Sequence, residues 1–551
     1  MYTKNQYSHT VITRPMTSRD GTISLLPAEK LLRELLLGCR AHIQKSGLAA
    51  ANDLEMWITG GWVRDRLLGI PCSDVDIALS TMTGSQFGEA LTEFFNLEEN
   101  NSYRDQASDL EIDTSSIFTG FHTTKQNLRK SKNLETTIGK VFGLDVDLVN
   151  LRKEVYDDDS RTPIMEFGTA EEDAFRRDAT VNSLFFNLDT QQVVDLTTRG
   201  LKDMAAGIIR TPLEPHKTFM DDPLRVLRLI RIGSKLGYTV EEATKSSMAD
   251  TDIHTALCAK VSRERVGIEV FKMMRQPNPQ FALQSLFEAD LYHAVFLERN
   301  SAIRETLQER LPSQEAKRPW PMTWPRAYKL LARLLADESS ELGRMLHAHE
   351  SVECLWLMAA YAPIGELRQE MLKKAVAAAA ESIKATNKHI KLLDNAMRNM
   401  NSVRDTIALV DGQQDKLPAR SSVGMAIRAW GDTWRPQVLF SLLAQIVYDT
   451  TLPSSLPSAE EESSLKGSLN RYNAFLAFVA REGLQDVYAI KPLLDGNAIM
   501  NLFGLQKGGR YLALAMTELV AWQLDHQTHG VEEAKEWLLQ QRDRLGVPAA
   551  T

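Results

Sequence analysis

Two periods of apolar and polar residues divide the chain. Near the N-terminus, short runs alternate residue by residue, as in Asp74-Val75-Asp76-Ile77 and Asp145-Val146-Asp147-Leu148, the period of a strand with one buried face. Farther along, apolar residues recur every three or four positions, the period of a helix. The stretch WITGGWVRDRLLGIPCSDVDIALS, Trp57 to Ser80, reads as a strand, a Gly60-Gly61 turn, a helix from Val63 to Leu68, and a second strand carrying Asp74 and Asp76. Gly69 and Pro71 form the stop between them, because glycine tolerates a left-handed cap and proline cannot continue a helix. Leu25 to Leu48 has leucines at helical spacing. Thr81 to Thr136 is polar and weakly periodic, so it reads as one long connection that is disordered or functional. Order returns at VFGLDVDLVNLRKEVY, and Glu171 to Leu188 reads as a helix with Asn182 one turn beyond Asp178.

Asp222 before Pro223 is a helix start: a carboxylate that can accept a first-turn N–H, then a proline at the first helical position. In the helix that follows, Arg225, Arg228 and Arg231 recur every third residue, while Leu224, Leu227 and Ile230 take another face. Ser262 is placed to cap the next helix, and Pro312, Pro319, Pro321 and Pro325 mark a boundary. Helices are expected over Tyr328 to Leu346, Val352 to Ala385 and His389 to Val410, with a linker at about Ser454 to Ser468. Two more helices punctuated by Gly504 and Gly508-Gly509 follow, flanked by Lys507 and Arg510.

At 551 residues the chain is too long for one core. Its 43% hydrophobic and 25% charged residues are ordinary for a globular protein, and a net charge of −8 means that any nucleic-acid contact depends on local basic patches. The four dispersed cysteines, Cys39, Cys72, Cys258 and Cys354, offer neither a disulfide framework nor a zinc quartet. No run reaches the ~18–20 apolar residues needed to span a bilayer, so no membrane partner is expected. Lys4, Arg14 and Arg19 precede the first acid, Asp20, which suits either a mitochondrial presequence or a disordered start; Met16 is a second candidate initiator.

The chemistry concentrates on carboxylates. Asp74 and Asp76 share one strand face, where like charges repel unless a cation lies between them, and hard oxygen ligands few in number suit Mg²⁺ with substrate phosphates completing its shell. Gly60 and Gly61 would let backbone N–H groups approach a triphosphate, with Arg64 near the same anion. Asp147 on a neighbouring strand could complete the metal shell or accept a proton. Walker A, HExxH, GxSxG and GxGxxG patterns are absent.

The series Gly60-Gly61-Trp62-Val63-Arg64-Asp65, Asp74-Val75-Asp76, Arg176-Arg177-Asp178 with Asn182, and Asp221-Asp222-Pro223-Leu224-Arg225 resembles the ordered motifs of class II CCA-adding enzymes, tRNA nucleotidyltransferases of the polymerase-β-like superfamily. Asp195 to Gly200, with Thr198 where the family commonly has glycine, resembles a further motif and is expected to hinge head and neck. Lys130 to Thr136 (KSKNLET) resembles a mobile loop of eukaryotic members. The resemblance implies an α+β fold: a nucleotidyltransferase head with a small mixed sheet and helices, followed by an all-helical neck, body and tail. The expected divisions are 1–22 targeting or disordered, 23–212 head, 213–310 neck, 326–453 body and 469–551 tail.

It also implies the reaction, which is template-independent addition of CCA to the 3′ end of tRNA from CTP and ATP with release of pyrophosphate. Asp74, Asp76 and Asp147 would be catalytic, with Mg²⁺ on Asp74 and Asp76. Gly60, Gly61, Arg64, Asp65, Arg176, Arg177, Asp178, Asn182, Asp221, Asp222, Arg225 and Arg228 would bind nucleotide, and Arg231 would be structural. Asp222 can accept from the exocyclic amino group of cytosine or adenine and Arg225 can donate to the ring nitrogen, so uracil and guanine would leave polar groups unpaired. Lys130, Lys132, Lys507 and Arg510 are expected to touch tRNA. The expected setting is a monomer in cytoplasm and nucleus, with a mitochondrial form from the N-terminal segment. A poly(A) polymerase, an enzyme adding only part of CCA, or an inactive tRNA-binding relative are the alternatives.

Overall fold

The computed structural model describes residues 21–124, 136–155, 164–297, 322–349, 351–367, 369–411, 417–452 and 463–548. The N-terminal twenty residues, the basic stretch with Lys130 and Lys132, and the proline-rich segment 298–321 lie outside them. Two compact units result, with the division between Val295 and Phe296.

The first unit is built on a seven-stranded sheet. Its strands are β1 (Met56–Thr59), β2 (Asp74–Leu79), β3 (Phe118–Thr124), β4 (Thr136–Val141), β5 (Leu144–Asn150), β6 (Leu184–Asn187) and β7 (Val193–Asp195), in the spatial order β3-β4-β5-β2-β1-β6-β7. Every pairing is antiparallel except β2 with β5, which makes the sheet mixed. Alternation sends Val75, Ile77, Val146 and Leu148 into the core, each fully buried, and leaves Asp74, Asp76 and Asp147 on the opposite face.

Helix α1 (Pro27–Lys45) packs Leu31, Leu32, Leu35, Leu36, Cys39 and Ile43 inward. Helix α2 (Gly61–Leu67) ends where Gly69 takes φ +65°, the left-handed stop expected there. The stretch after β2 departs from expectation. Residues 84–124 hold helix α3 (Gly84–Phe95), shorter helices and the edge strand β3. Thr83 caps α3 in a capping box with Gln86, and Phe87, Leu91 and Phe95 are buried. Gly84 and Gly88 weaken the helical signal but permit close packing, since a Cβ at Gly84 would fall 2.3 Å from the Leu148 carbonyl oxygen.

Glu171 to Leu188 is not one helix either. Helix α4 (Ala170–Phe175) stops at Arg176, a 3-10 turn covers Thr180–Asn182, and the chain enters β6. The hydrophobic run Leu184-Phe185-Phe186 pairs with β1, and that burial overrides helical spacing. Thr198 has φ +58°, which is the physical reason for glycine at such a position; here it lies in the turn after β7.

Helices α5 (Pro215–Asp221) and α6 (Leu224–Leu236), separated by Asp222-Pro223, continue this unit. Asp222 Oδ1 accepts the Leu224 N–H at 3.2 Å, so the carboxylate caps as anticipated although the formal cap position is Pro223. Helix α7 (Arg263–Met274) begins after Ser262, whose side chain makes no capping bond, and Glu269 of α7 pairs with Arg231 of α6.

In the second unit the regular elements among the described residues are all helices. The expected Tyr328–Leu346 helix is two, Trp324–Ala336 and Glu341–His347, and Val352–Ala385 is broken at Ala362–Ile364. His389–Val410 lies within Asn387–Asp411. The expected linker ends earlier than Ser468, because a helix starts at Ser463. Near the C-terminus, Gly504 (φ +70°) closes the helix Gly496–Phe503, and Arg510–Asp525 starts after Gly509. Trp522 is buried and stacks on Trp537, so these tryptophans belong to the core. No helix among the described residues is long and apolar enough to cross a membrane.

Candidate active site

The parallel register sets Asp76 directly beside Asp147, and Asp74 beside Asp145. Among the described residues, no side chain or N–H donates to the carboxylates of Asp74, Asp76 or Asp147, whereas Asp145 is engaged by Lys140. Burial raises the Asp76 carboxyl above its ordinary range, with Asp74 adding to the rise and Arg177 opposing it. Asp147 is pushed up to about 6 by burial first, then by Asp76, Asp74 and Asp145. Three carboxylates on one face with no donor among them suit a divalent cation in their chemistry: the oxygens are hard, and their mutual repulsion is relieved by positive charge. Below them on the same face, Trp57, Ala78, Leu151, Ala174 and Phe185 form an apolar floor.

Arg177 borders this face. A Cβ on Gly60, which has φ +73°, would lie 3.1 Å from Arg177 Nη1 and 3.4 Å from Asp76 Oδ2. Only a residue without Cβ keeps the turn, the guanidinium and the carboxylate this close. Arg177 is held from beneath by Asp173 of α4, its Nη2 donating to Oδ2 at 2.8 Å, and it lies over the Phe185 ring. Arg176 also donates to Asp173, through Nε to Oδ1 at 2.9 Å. Burial would raise Asp173, but the two guanidiniums outweigh it and hold the carboxylate ionised. Asp173 was legible in the sequence, three and four residues before the two arginines.

The remaining motif residues form a closed circuit with α6. Lys235 Nζ donates to Asp65 Oδ2 at 2.7 Å, Arg64 Nε donates to Asp65 Oδ1 at 2.8 Å, and Arg64 Nη1 donates to Asn182 Oδ1. Asn182 Nδ2 then donates to Asp178 Oδ1 at 3.0 Å, and Arg228 Nε donates to Asp178 Oδ2 at 2.7 Å. Arg64 and Asp65 are thus buried inside a clamp that fastens α6 at Arg228 and Lys235, two turns apart. Lys235 had no signal in a short motif; its partner is set by the fold.

At the start of α6, Asp222 Oδ2 is 3.2 Å from Arg265 Nη2, and the nearly buried Arg225 donates from Nη1 to the Thr218 carbonyl at 3.3 Å. Asp221 ends α5 and is half-buried. The fields overlap: Arg225 helps to lower Asp178, Asp222 helps to raise Arg228, and Arg228 acts on Asp76. Carboxylates, Arg177 and the start of α6 therefore belong to one charged neighbourhood. A separate group, His216, Asp250 and Asp252, brings its ligand atoms within 4.8 Å of one another, and His216 and Asp252 already satisfy each other as an exposed pair at 2.7 Å. Lys507 and Arg510 are exposed at the glycine turn of the second unit.

Residues 56–210 match the family profile described as the poly A polymerase head domain, and 237–303 match a probable RNA- and SrmB-binding site of polymerase A. The chain is 35% identical to nucleotidyltransferase lcsQ of Purpureocillium lilacinum, covering 96% of this chain and 93% of that protein. It is 32% identical to tRNA nucleotidyltransferase cca2 of Schizosaccharomyces pombe, covering 91% and 96%. The chain belongs to the tRNA nucleotidyltransferase family. Among solved structures, an apo CCA-adding enzyme matches over 96% of this chain and 97% of its own, with 15% identity and a TM-score of 0.58. The Thermotoga maritima CCA-adding enzyme in complex with tRNA matches over 97% and 98%, with 15% identity and a TM-score of 0.54. At that identity they establish the CCA-adding enzyme fold for this tRNA nucleotidyltransferase, including its mixed-sheet head and helical remainder.

Proposed function

We propose that this tRNA nucleotidyltransferase adds C, C and A in turn to the 3′ end of tRNA, using CTP and ATP and releasing pyrophosphate. The observation that carries the reading is the donor-free face of Asp74, Asp76 and Asp147, walled by Arg177 and electrically linked through Arg228 to Asp222 and Arg225. Mg²⁺ held by Asp74 and Asp76 would acidify the terminal ribose hydroxyl and neutralise charge on the triphosphate. Asp147, level with Asp76 on the neighbouring strand and with its carboxyl pushed up to about 6 in the cation-free protein, would be placed to take the proton of that hydroxyl or to complete the cation's shell. Gly60 and Gly61 offer N–H groups where a bulkier turn would block the phosphates. Arg177 is poised to hold them without losing its anchor on Asp173. Asp222 and Arg225 present an acceptor and a donor to the base edge, and pairing both with cytosine or adenine requires no template strand.

Substituting Asp76→Ala is expected to abolish nucleotide incorporation into a trimmed tRNA while tRNA binding persists; retained incorporation would refute the cation assignment. The poly(A) polymerase name of the matching head profile favours one second reading, a polymerase of A alone. Addition of C from CTP as the sole nucleotide excludes it. Absence of pyrophosphate release with any tRNA would instead identify an inactive RNA-binding relative.

Relatives from Saccharomyces cerevisiae and Candida glabrata are named mitochondrial CCA tRNA nucleotidyltransferases. With Lys4, Arg14 and Arg19 ahead of the first acid, initiation at Met1 would send this protein to mitochondria and initiation at Met16 would leave it in cytoplasm and nucleus. A single N-terminus in organelle and cytosol fractions removes that reading. A monomer is proposed, and sedimentation checks it.

A further inference from the structure

Thr59 is the last residue of β1, fully buried, and its hydroxyl has no hydrogen-bond partner. It lies directly opposite Asp76 in the antiparallel β1–β2 pair and opposite Phe185 in the β1–β6 pair. Directly opposed residues share a face, so the Thr59 side chain belongs to the acidic face, with the Asp76 carboxylate on one side and an aromatic ring on the other. Gly60 follows at once, and its missing Cβ leaves Asp76 and Arg177 against the turn. A buried hydroxyl is rarely left unpaired, and of these neighbours only Asp76 can accept its proton: the ring offers no lone pair, and the guanidinium only donates. Asp76 for its part has no donor among the described residues.

We propose that Thr59 is a positioning residue for the cation site, its hydroxyl donating to the Asp76 carboxylate when a divalent cation is bound. The unpaired hydroxyl is then a donor held in reserve. With a divalent cation bound, one Asp76 oxygen would serve as its ligand and the other would accept a hydrogen bond from the Thr59 hydroxyl. Asp76 becomes fixed in a single orientation, which is what precise in-line chemistry requires of a ligand. This inference rests on Asp76 being a cation ligand.

The test uses the full-length protein and Mn²⁺, titrated by calorimetry, with thermal unfolding recorded in EDTA. Thr59→Val keeps the shape and removes the donor; Thr59→Ser keeps the donor. Thr59→Val is expected to weaken Mn²⁺ binding about tenfold, the loss of roughly one charge-assisted hydrogen bond. Its melting temperature in EDTA should equal or exceed that of the wild type, because an unpaired hydroxyl is replaced by a methyl group. Thr59→Ser should bind Mn²⁺ within about twofold of the wild type, an allowance far below one hydrogen bond. Wild-type Mn²⁺ affinity in Thr59→Val overturns the inference, as does a loss in both variants that tracks a lowered melting temperature. Asp76→Asn separates the two levels. If it leaves Mn²⁺ binding intact, the cation site itself is misplaced; if it abolishes binding while Thr59→Val does not change it, only the role of Thr59 fails.

Discussion

Arg228 of α6 donates to Asp178 at 2.7 Å, and Asp178 is otherwise sealed from solvent behind Asn182. The pair joins the arginine series of the helix to the motif that follows α4, and it closes the circuit running through Arg64, Asp65 and Lys235. Arg228→Ala leaves a buried carboxylate without its cation and is expected to destabilise the protein by about 3 kcal/mol, the low end for such a loss because Arg228 is partly exposed. Denaturant unfolding checks it. Asp178→Asn should cost less, since the buried charge goes too.

Asp178 also sets an acid limit. Burial acts to raise its pKa, but Arg228, Asn182 and Arg225 together hold it well below the carboxylate range. A depressed folded-state value means that the stabilisation is present above the unfolded pKa of about 3.9 and is lost as pH falls through the folded value. Wild-type protein should therefore lose stability below about pH 4 more steeply than Asp178→Asn, as followed by circular dichroism at stepped pH.

Asp147 has the opposite sign. Its folded pKa of about 6 lies above the unfolded value, so its contribution to stability is full below about pH 4 and disappears as pH rises through about 6. Without divalent cation at pH 7.5, Asp147→Asn should melt higher than the wild type, and with Mg²⁺ supplied it should lose catalysis. Millimolar Mg²⁺ should raise the melting temperature of the wild type more than that of the variant.

Gly60→Ala tests the turn. Its φ of +73° strains any side chain, and the added Cβ would crowd Arg177 and Asp76. A stability loss of about 1–2 kcal/mol is expected, with a fall in incorporation beyond what unfolding explains, because the displaced groups are those proposed to meet phosphate and cation. Single-turnover assays far below the melting temperature separate the two effects.

Asp222→Ala and Arg225→Ala should relax base choice. Each removes a polar group proposed to reject the wrong base, so incorporation of U or G relative to C or A should rise by about tenfold or more. Offering each nucleoside triphosphate alone to a trimmed tRNA measures this. For the tail, Lys507→Ala with Arg510→Ala should weaken tRNA binding and reduce the slope of log affinity against log salt by about one for each phosphate that is no longer neutralised.

Much of the site's local grammar can be read along the chain. Alternation alone puts Asp74 and Asp76 on one face and Val75 and Ile77 on the other, Gly69 stops α2, and Asp222-Pro223 starts α6. Those features depend on φ, ψ and side-chain period, which neighbouring residues control. The arginines of Arg176-Arg177 could likewise be paired with Asp173 by counting residues. Where local signals compete, reading along the chain fails: Gly84 and Gly88 mask α3, and the apolar run at Leu184 becomes a strand because β1 is there to receive it.

The sequence by itself determined how the carboxylates, arginines and apolar residues alternate along each strand or helix, and which of them are proposed to carry the chemistry. Only the tertiary structure decided that β5 lies parallel to β2 with Asp147 level with Asp76, that Lys235 closes on Asp65, and that Thr59 stands unpaired opposite the same aspartate. Register, burial and the partners of buried charges arise from contacts between distant segments, and no local period encodes them.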